Sequence, residues 1–206
     1  LKKSLVLLGG GGHCLSCVDV IYATRAFEIK GIVLPNETNK DEKEVHGLKI
    51  IGQDNDLPDL IKDFSNFFIS VGQIKSPEAR IRLFDLLKKL NAKMPSIKSP
   101  LAYVSPNSNI SEGSIVMHGA IVNSEASVGS NCILNTQSLV EHGVKIEDHC
   151  HISTGAKING NAKIKSGSFV GSGAIIREGI TIGNRCVIGA GVSVFKNIPD
   201  GAIITR

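Results

Sequence analysis

The chain has 206 residues, 42% of them apolar, which is enough for one large domain or two modest ones. Its net charge of +4 comes from scattered lysines, Trp is absent and aromatics make up only 4%, so a basic, base-stacking nucleic-acid surface is not expected. No apolar stretch approaches the length of a membrane span and no signal-peptide pattern opens the chain, so we expect a cytoplasmic protein without membrane insertion.

The first predicted elements are an apolar strand over residues 4–8, a glycine turn (Gly9 to Gly12) with His13, and a helix over residues 14–25. The predicted buried face of this helix consists of Leu15, Val18, Ile21 and Tyr22. A strand, a glycine turn and a helix in this order are typical of nucleotide-binding α/β units, because the glycines admit a phosphate to the helix N-terminus. A tight turn without a ligand stays open as the alternative, since the GxGxxG spacing is only partly met.

The following segment alternates between strands and helices. We expect a strand over 27–34, an edge strand over 47–52, a helix over 55–63, a strand over 66–71 and a helix over 78–90 that is capped by Ser76 and Pro77. The predicted buried stripe of the last helix is Ile81, Phe84, Leu87 and Leu90. This alternation predicts a small parallel sheet.

From Val104 to Val194 an apolar residue recurs every six positions, sixteen times without a gap. A six-residue period of this kind predicts a parallel β-helix in which three hexapeptides form a coil of eighteen residues. Cys132, Cys150 and Cys186 share one position of the coil with Ser168, so we expect them to form an inward-facing ladder, with no disulfide framework. The predicted division is an α/β domain over 1–94, a linker over 95–103 and a β-helix over 104–206.

His142 is the leading candidate for catalysis, because it follows the inward-facing Val140 near a corner of the coil. A neutral imidazole there can take a proton from an attacking amine or hydroxyl. An exposed turn histidine without a role is the alternative. No metal is expected, because no carboxylate or cysteine completes a ligand set with His142, His149 and His151. For Cys14 and Cys17 core packing is favoured over redox chemistry.

The repeat resembles the hexapeptide-repeat acyltransferases, which implies that the β-helix is left-handed, an exception to the usual crossover rule. The glycine turn with His13, the small Rossmann-like α/β domain and the segment from Asn135 to His142 are similar to the NeuD-like sugar acetyltransferases. That group includes sialic-acid O-acetyltransferases and bacterial N-acetyltransferases of UDP-4-amino-sugars.

The resemblance implies a role for each matching residue. His142 is the implied general base, and Asn135 opens the same catalytic segment. His151, Ser172 and Ala190 are the implied acetyl-CoA residues. The sugar-nucleotide residues implied are Gly11, Gly12, His13 and Gly72. Such enzymes are homotrimers that hold CoA between neighbouring β-helices, so the implied cofactor is acetyl-CoA, as co-substrate.

The chain departs from the relatives at two positions. Gly143 stands where they commonly carry a carboxylate that orients the catalytic histidine; Glu125, one coil earlier, is the predicted substitute, with Glu141 as a second candidate. Pro35-Asn36 stands where relatives often place an Asp for the nucleotide, so the resemblance leaves open whether the sugar carries one.

We therefore expect an acetyl-CoA-dependent acetyltransferase that acts on the amino group of a sugar or nucleotide sugar, with His142 as general base and no covalent intermediate. O-acetylation of a sialic- or legionaminic-type acid and a non-catalytic β-helix scaffold are the alternatives.

Overall fold

The computed structural model describes residues 2–39 and 41–205. The chain folds into two units. The first comprises Leu1–Gly72 and Ala79–Pro95, and the second comprises Gln73–Glu78 and Ser96–Arg206. The short segment Gln73–Glu78 thus groups with the second unit, although residues of the first unit flank it on both sides.

The first unit contains a five-stranded sheet whose strand order is β3-β4-β2-β1-β5. Its elements in chain order are β1 (Lys3–Leu8), α1 (Gly12–Thr24), β2 (Phe27–Leu34), β3 (Glu44–Val45), β4 (Leu48–Gln53), a 3₁₀ turn (Asp54–Asp56), α2 (Leu57–Asp63), β5 (Phe67–Ile69) and α3 (Glu78–Lys89). The strands pair in parallel except β3, which is antiparallel to β4. The predicted edge strand is therefore not at the edge, because the two-residue β3 pairs outside it.

The predicted buried face of α1 is wrong in part. Leu15 and Tyr22 are 52% and 54% exposed, whereas the buried residues are Cys14, Cys17, Val20 and Ile21. The helix begins directly after the glycine turn, so the turn fixes which side faces the sheet. In α3, Phe84 and Leu87 are buried as predicted, but Arg80 and Leu83 complete the buried stripe, while Ile81 and Leu90 are only partly buried.

The second unit is a three-faced parallel β-helix built from two-residue strands. Face 1 consists of Ile97–Lys98, Ile115–Val116, Ile133–Leu134, His151–Ile152, Phe169–Val170, Val187–Ile188 and Ile203–Ile204. Face 2 consists of Tyr103–Val104, Ile121–Val122, Leu139–Val140, Lys157–Ile158, Ile175–Ile176 and Ser193–Val194. Face 3 consists of Asn109–Ile110, Ser127–Val128, Lys145–Ile146, Lys163–Ile164 and Thr181–Ile182.

The coils stack in the predicted register of eighteen residues up to Val194, as in the pairing of Val140 with Ile158. The last strand pairs sixteen residues on, Ile188 with Ile204, so the final coil is two residues shorter. The first strand, Ile97–Lys98, lies inside the segment predicted as a linker. The period does not reveal it because Lys98, which is exposed, stands where the apolar residue would be.

The ladder of small side chains inside the β-helix is confirmed. Cys132, Cys150 and Cys186 are fully buried. The Oγ atoms of Ser114 and Ser168 accept the backbone N–H of Cys132 and Cys186, at 2.8 and 3.0 Å. All five cysteines of the chain are free thiols. None of the helices in the described part of the chain is long and apolar enough to cross a bilayer.

Candidate active site

His142 lies at the corner between face 2 and face 3, and its side chain is exposed. Among the described residues no hydrogen bond engages its ring. Its backbone N–H donates to Glu141 Oε2 at 3.2 Å, and its carbonyl oxygen accepts the backbone N–H of Asn161 at 2.9 Å. The imidazole packs over Gly160 in the next coil, where an added Cβ would lie 2.2 Å from Cε1 and 2.7 Å from Nδ1. The ring is therefore held by packing and keeps its nitrogens available.

The predicted pairing of Glu125 with His142 is not formed. Glu125 belongs to the coil before His142, whereas the imidazole leans onto the coil after it. The side chain of Glu125 is exposed, and no hydrogen bond joins it to His142. An added Cβ at Gly143 would lie 2.4 Å from Asn161 Oδ1, so the Asn161 amide fills the space beside Gly143, where the resemblance led us to expect a carboxylate.

Asn135 and His151 lie together, and the contacts of His151 define its tautomer. His151 Nδ1 is 2.6 Å from the carbonyl oxygen of Gln73, which can only accept, so Nδ1 carries the proton. Nε2 then accepts from the side-chain amide of Asn135 at 3.2 Å, while Asn135 Oδ1 accepts the Thr136 N–H at 2.8 Å. Both ring nitrogens of His151 are thus engaged within the chain, and the side chain is only 6% exposed.

A cleft on face 1 contains the other two predicted CoA residues. Its volume is about 520 Å³, and its lining residues are Ile74, Lys75, Phe169, Gly171, Ser172, Val187, Gly189, Ala190 and Ile203. His151 does not line this cleft but supports it, because its ring packs edge-on against Phe169 with centroids 5.2 Å apart. The structure therefore brings Ser172 and Ala190 together in one cleft and places His151 against Phe169, which lines that cleft.

One wall of the cleft is the segment Gln73–Glu78, which sequence reasoning did not connect with the β-helix. Besides the bond from His151, Gln73 Nε2 donates to Gly167 O at 3.3 Å, and Glu78 forms an ion pair with Arg185. No local sequence signal marks these contacts, because they join residues about a hundred positions apart.

The structure does not bring His142 and this cleft to the same corner of one chain. Ser172 and Ala190 follow strands of face 1, whereas His142 follows a strand of face 2. The outward-facing residues of face 2 lie between them: Tyr103, Ile121, Leu139, Lys157, Ile175 and Ser193. Tyr103, Ile121 and Ile175 are 56%, 40% and 37% exposed, so face 2 presents an apolar stripe to its surroundings, which the exposed Lys157 interrupts.

The glycine turn of the first unit consists of two packed and two open positions. Gly9, with φ +99°, lies against Val71, and Gly10 lies against Leu34, whereas Gly11 and Gly12 have open space where a side chain would be. The α1 helix starts here and no side chain caps it, so the positive end of the helix faces this turn and favours an anion.

Two contacts complete the surroundings of this turn. Gly72 closely approaches His13, since an added Cβ would lie 3.2 Å from His13 Cβ, so these two predicted substrate residues are neighbours. His46, which sequence reasoning left without a role, donates from Nε2 to the carbonyl oxygen of Gly10 at 2.8 Å. His46 comes 36 residues after Gly10, and no motif links the two.

Pro35 and Asn36 lie close to a second cavity, of about 350 Å³, at the ends of β2 and β4. The side chains of Asn36 and Asn55 bond to each other at 3.1 Å, and Asn36 Oδ1 accepts the backbone N–H of Asn55 at 3.0 Å. These amide contacts occupy the position at which the resemblance led us to expect an Asp.

Two further candidate features are a metal site at the histidines and a redox-active pair at Cys14 and Cys17. Within residues 2–39 and 41–205 no three His, Cys, Asp or Glu side chains are grouped so that they could hold a metal ion. Burial raises the pKa of both Cys14 and Cys17, which disfavours the reactive thiolate and fits the packing role predicted for them.

Three family models match the chain in succession. The PglD N-terminal domain matches residues 4–87, the hexapeptide repeat of succinyl-transferase matches 124–159, and the bacterial transferase hexapeptide matches 161–196.

Solved structures share the whole two-part architecture. A histidine-to-asparagine variant of perosamine N-acetyltransferase from Caulobacter crescentus, in complex with CoA and GDP-perosamine, matches with a TM-score of 0.90 and 26% identity over 98% of this chain and 93% of that one. The acetyltransferase domain of PglB from Neisseria gonorrhoeae, in complex with acetyl coenzyme A, matches with a TM-score of 0.86 and 28% identity over 98% and 96%. WeeI from Acinetobacter baumannii, at 20% identity and a TM-score of 0.84, shares the fold.

The predicted fold class, a small Rossmann-like α/β domain followed by a left-handed parallel β-helix, is confirmed by these matches. The predicted resemblance is confirmed with it: the chain joins a region that matches the PglD N-terminal domain to transferase hexapeptide repeats, and it is similar over its whole length to sugar acetyltransferases of the hexapeptide-repeat superfamily.

Proposed function

We propose that the protein transfers an acetyl group from acetyl-CoA to an amino group of a nucleotide-linked sugar. The observation that carries the proposal is the contrast between two histidines of the β-helix. His151 is buried with both ring nitrogens bonded, whereas His142 is exposed and its ring makes no hydrogen bond within the described chain. Of these two histidines, only His142 is free to exchange a proton with a substrate.

In the proposed reaction the neutral amine attacks the thioester carbonyl. The C–N bond forms while His142 takes the amine proton. The C–S bond then breaks, and CoA leaves as the thiol when its sulfur takes up the proton that His142 releases. General-base help of this kind contributes about 10²–10⁴-fold in rate. Backbone N–H groups of the coil turns stabilise the oxyanion of the tetrahedral intermediate. The buried thiols inside the β-helix take no part, and no covalent acyl-enzyme forms.

The cleft beside Ser172 and Ala190 fits the pantetheine arm of acetyl-CoA. Its volume is within the range of about 300–1,000 Å³ that is typical of ligand sites, and Ile74, Phe169 and Ile203 give it apolar walls. Lys75 supplies a cation for a CoA phosphate. His151 supports the cleft from below through Phe169 and Gln73 and does not bind CoA itself.

The acceptor is a nucleotide sugar in this proposal, as in the matched perosamine N-acetyltransferase complex. Gly11 and Gly12 leave room for a pyrophosphate at the start of α1, whose N–H groups and helix dipole favour an anion. His13 and Gly72 border the same turn.

The assembly we propose is a homotrimer in which face 2 is the contact surface. An exposed apolar row on a β-sheet surface marks an interaction site. Because face 2 is flanked by the corner with His142 on one side and the corner with Ser172 on the other, its burial between copies places the base of one subunit beside the CoA cleft of the next.

The proposal is tested by acetyl-CoA consumption with a panel of acceptors. We expect turnover with GDP- or UDP-linked 4-amino-sugars, and an acetamido product by mass spectrometry. Turnover only with free nonulosonic acids would show O-acetylation instead, and no turnover together with no thermal stabilisation by millimolar CoA would favour a scaffold. Ala190→Trp should raise KM for acetyl-CoA, whereas Lys163→Trp on face 3 should not.

A further inference from the structure

We propose that Gly160 is a positioning residue: the absence of a side chain there sets the orientation of the His142 imidazole. This inference rests on the proposed role of His142 as general base. It assigns the orientation of the proposed base to one backbone position in the next coil.

The contact between the two residues is close and direct. Gly160 follows His142 by one coil and is buried, although it lies in a corner turn. An added Cβ at Gly160 would lie 2.2 Å from Cε1, 2.7 Å from Nδ1 and 3.0 Å from Nε2 of the imidazole. The ring therefore occupies the space that any other residue at position 160 would fill.

The backbone itself does not require glycine at this position. The φ angle of Gly160 lies outside the left-handed region, unlike that of Gly143 at +65°. The corresponding corner positions of the adjoining coils are Ser124 and Glu178, which have side chains. The coil geometry thus accepts a Cβ here, and only the ring of His142 excludes it.

No other described group performs the orienting role. Glu125 lies on the opposite side of His142, Glu141 bonds to the backbone N–H of His142 and not to its ring, and Asn161 fills the space beside Gly143. Packing against Gly160 therefore holds the His142 ring in its orientation. Misplacement of a catalytic group by about 1 Å can cost about 10²-fold in rate.

The test is Gly160→Ala. The new methyl group would collide only with the end of a flexible side chain, so the ring moves while the coil stays folded. We expect kcat to fall at least about tenfold. KM for acetyl-CoA and for the acceptor, the unfolding temperature and stabilisation by CoA should stay as in the parent protein. Glu178→Ala, at the equivalent corner of the next coil, is the matched control and should retain parental kcat.

A double-mutant cycle separates this inference from the proposed function. In a His142→Ala background, Gly160→Ala should cause no further loss, because the two residues act as one unit. An equal loss in both backgrounds, or a parental kcat for Gly160→Ala, would overturn the inference. Parental kcat for His142→Ala would instead overturn the proposed function.

A spectroscopic measurement covers the case in which activity is limited by another step. The Cε1–H resonance of His142 should shift on Gly160→Ala, while those of His118 and His149 remain in place. An unchanged His142 resonance would contradict the inference independently of any rate.

Discussion

The Nδ1 atom of His151 lies 2.6 Å from the carbonyl oxygen of Gln73, 78 residues earlier in the chain. This bond holds the segment Gln73–Glu78, one wall of the cleft beside Ser172, against face 1. The Asn135 side-chain amide donates to Nε2 of the same ring, which leaves the proton on Nδ1 for the bond to Gln73. If the cleft binds acetyl-CoA as we propose, His151 supports that binding through the segment Gln73–Glu78.

Removal of the His151 ring should loosen this wall. In His151→Ala the buried carbonyl oxygen of Gln73 loses its donor, which costs about 1–3 kcal/mol of stability. We expect KM for acetyl-CoA to rise about tenfold, the equivalent of about 1.4 kcal/mol of lost binding, while KM for the acceptor stays unchanged. Steady-state kinetics and thermal unfolding measure both effects.

His151→Asn and His149→Ala are the matched controls. The Asn variant keeps a donor near the position of Nδ1 and should recover part of the loss, and His149, two residues earlier on a corner, should be replaceable without effect on KM. Equal behaviour of the Ala and Asn variants would contradict the role of the Gln73 bond.

The apolar stripe of face 2 should decide the oligomeric state. A carboxylate placed at Ile121 or Ile175 would be buried without a partner in a trimer, which is strongly unfavourable. Light scattering should find monomeric Ile121→Glu and trimeric Thr181→Glu, the control on face 3. The monomer should retain its fold and lose turnover. A fully active monomer would refute the shared active site.

The buried thiols should resist chemical modification, and their burial should make the folded state less stable at alkaline pH. Burial raises the pKa of Cys17 and Cys150, so the folded state disfavours their thiolates. Their contribution to stability is complete below the unfolded thiol pKa of about 8.5 and is lost as the pH rises above it.

At pH 8 a thiol reagent should label the folded protein slowly, and should label all five cysteines after unfolding. The unfolding temperature should fall between pH 8 and pH 10, and less steeply in Cys17→Ala. Rapid labelling of the folded protein would show that the ladder opens readily.

The β-helix could be predicted from the sequence because its constraint is local and repeated. Each coil needs an inward apolar residue such as Val140 or Ile158, so the period gives the register directly. The same count placed Cys132 and Cys150 inside. The period does not reveal the strands at the two ends of the β-helix: Lys98 is exposed where an apolar residue would stand, and Ile204 pairs with Ile188 sixteen residues before it.

The site could be predicted only in part, because its remaining members meet across long sequence separations. The position of His142 at a corner follows from the repeat, but the direction in which its ring leans does not. The sequence therefore predicts a contact with Glu125, whereas in the structure the ring packs on Gly160. The attachment of Gln73 to His151 and of His46 to Gly10 depends on tertiary packing alone. Neither pair has a spacing that a motif could reveal.

The most direct test of the account is the turnover of His142→Ala at saturating acceptor, together with calorimetric binding of acetyl-CoA to the same variant. We expect kcat to fall by about 10²–10⁴-fold with acetyl-CoA affinity unchanged, since His142 stands at a different corner from the residues of the cleft. A kcat within about twofold of the parent protein, a barrier change below about 0.5 kcal/mol, would contradict the assignment of His142 as the base.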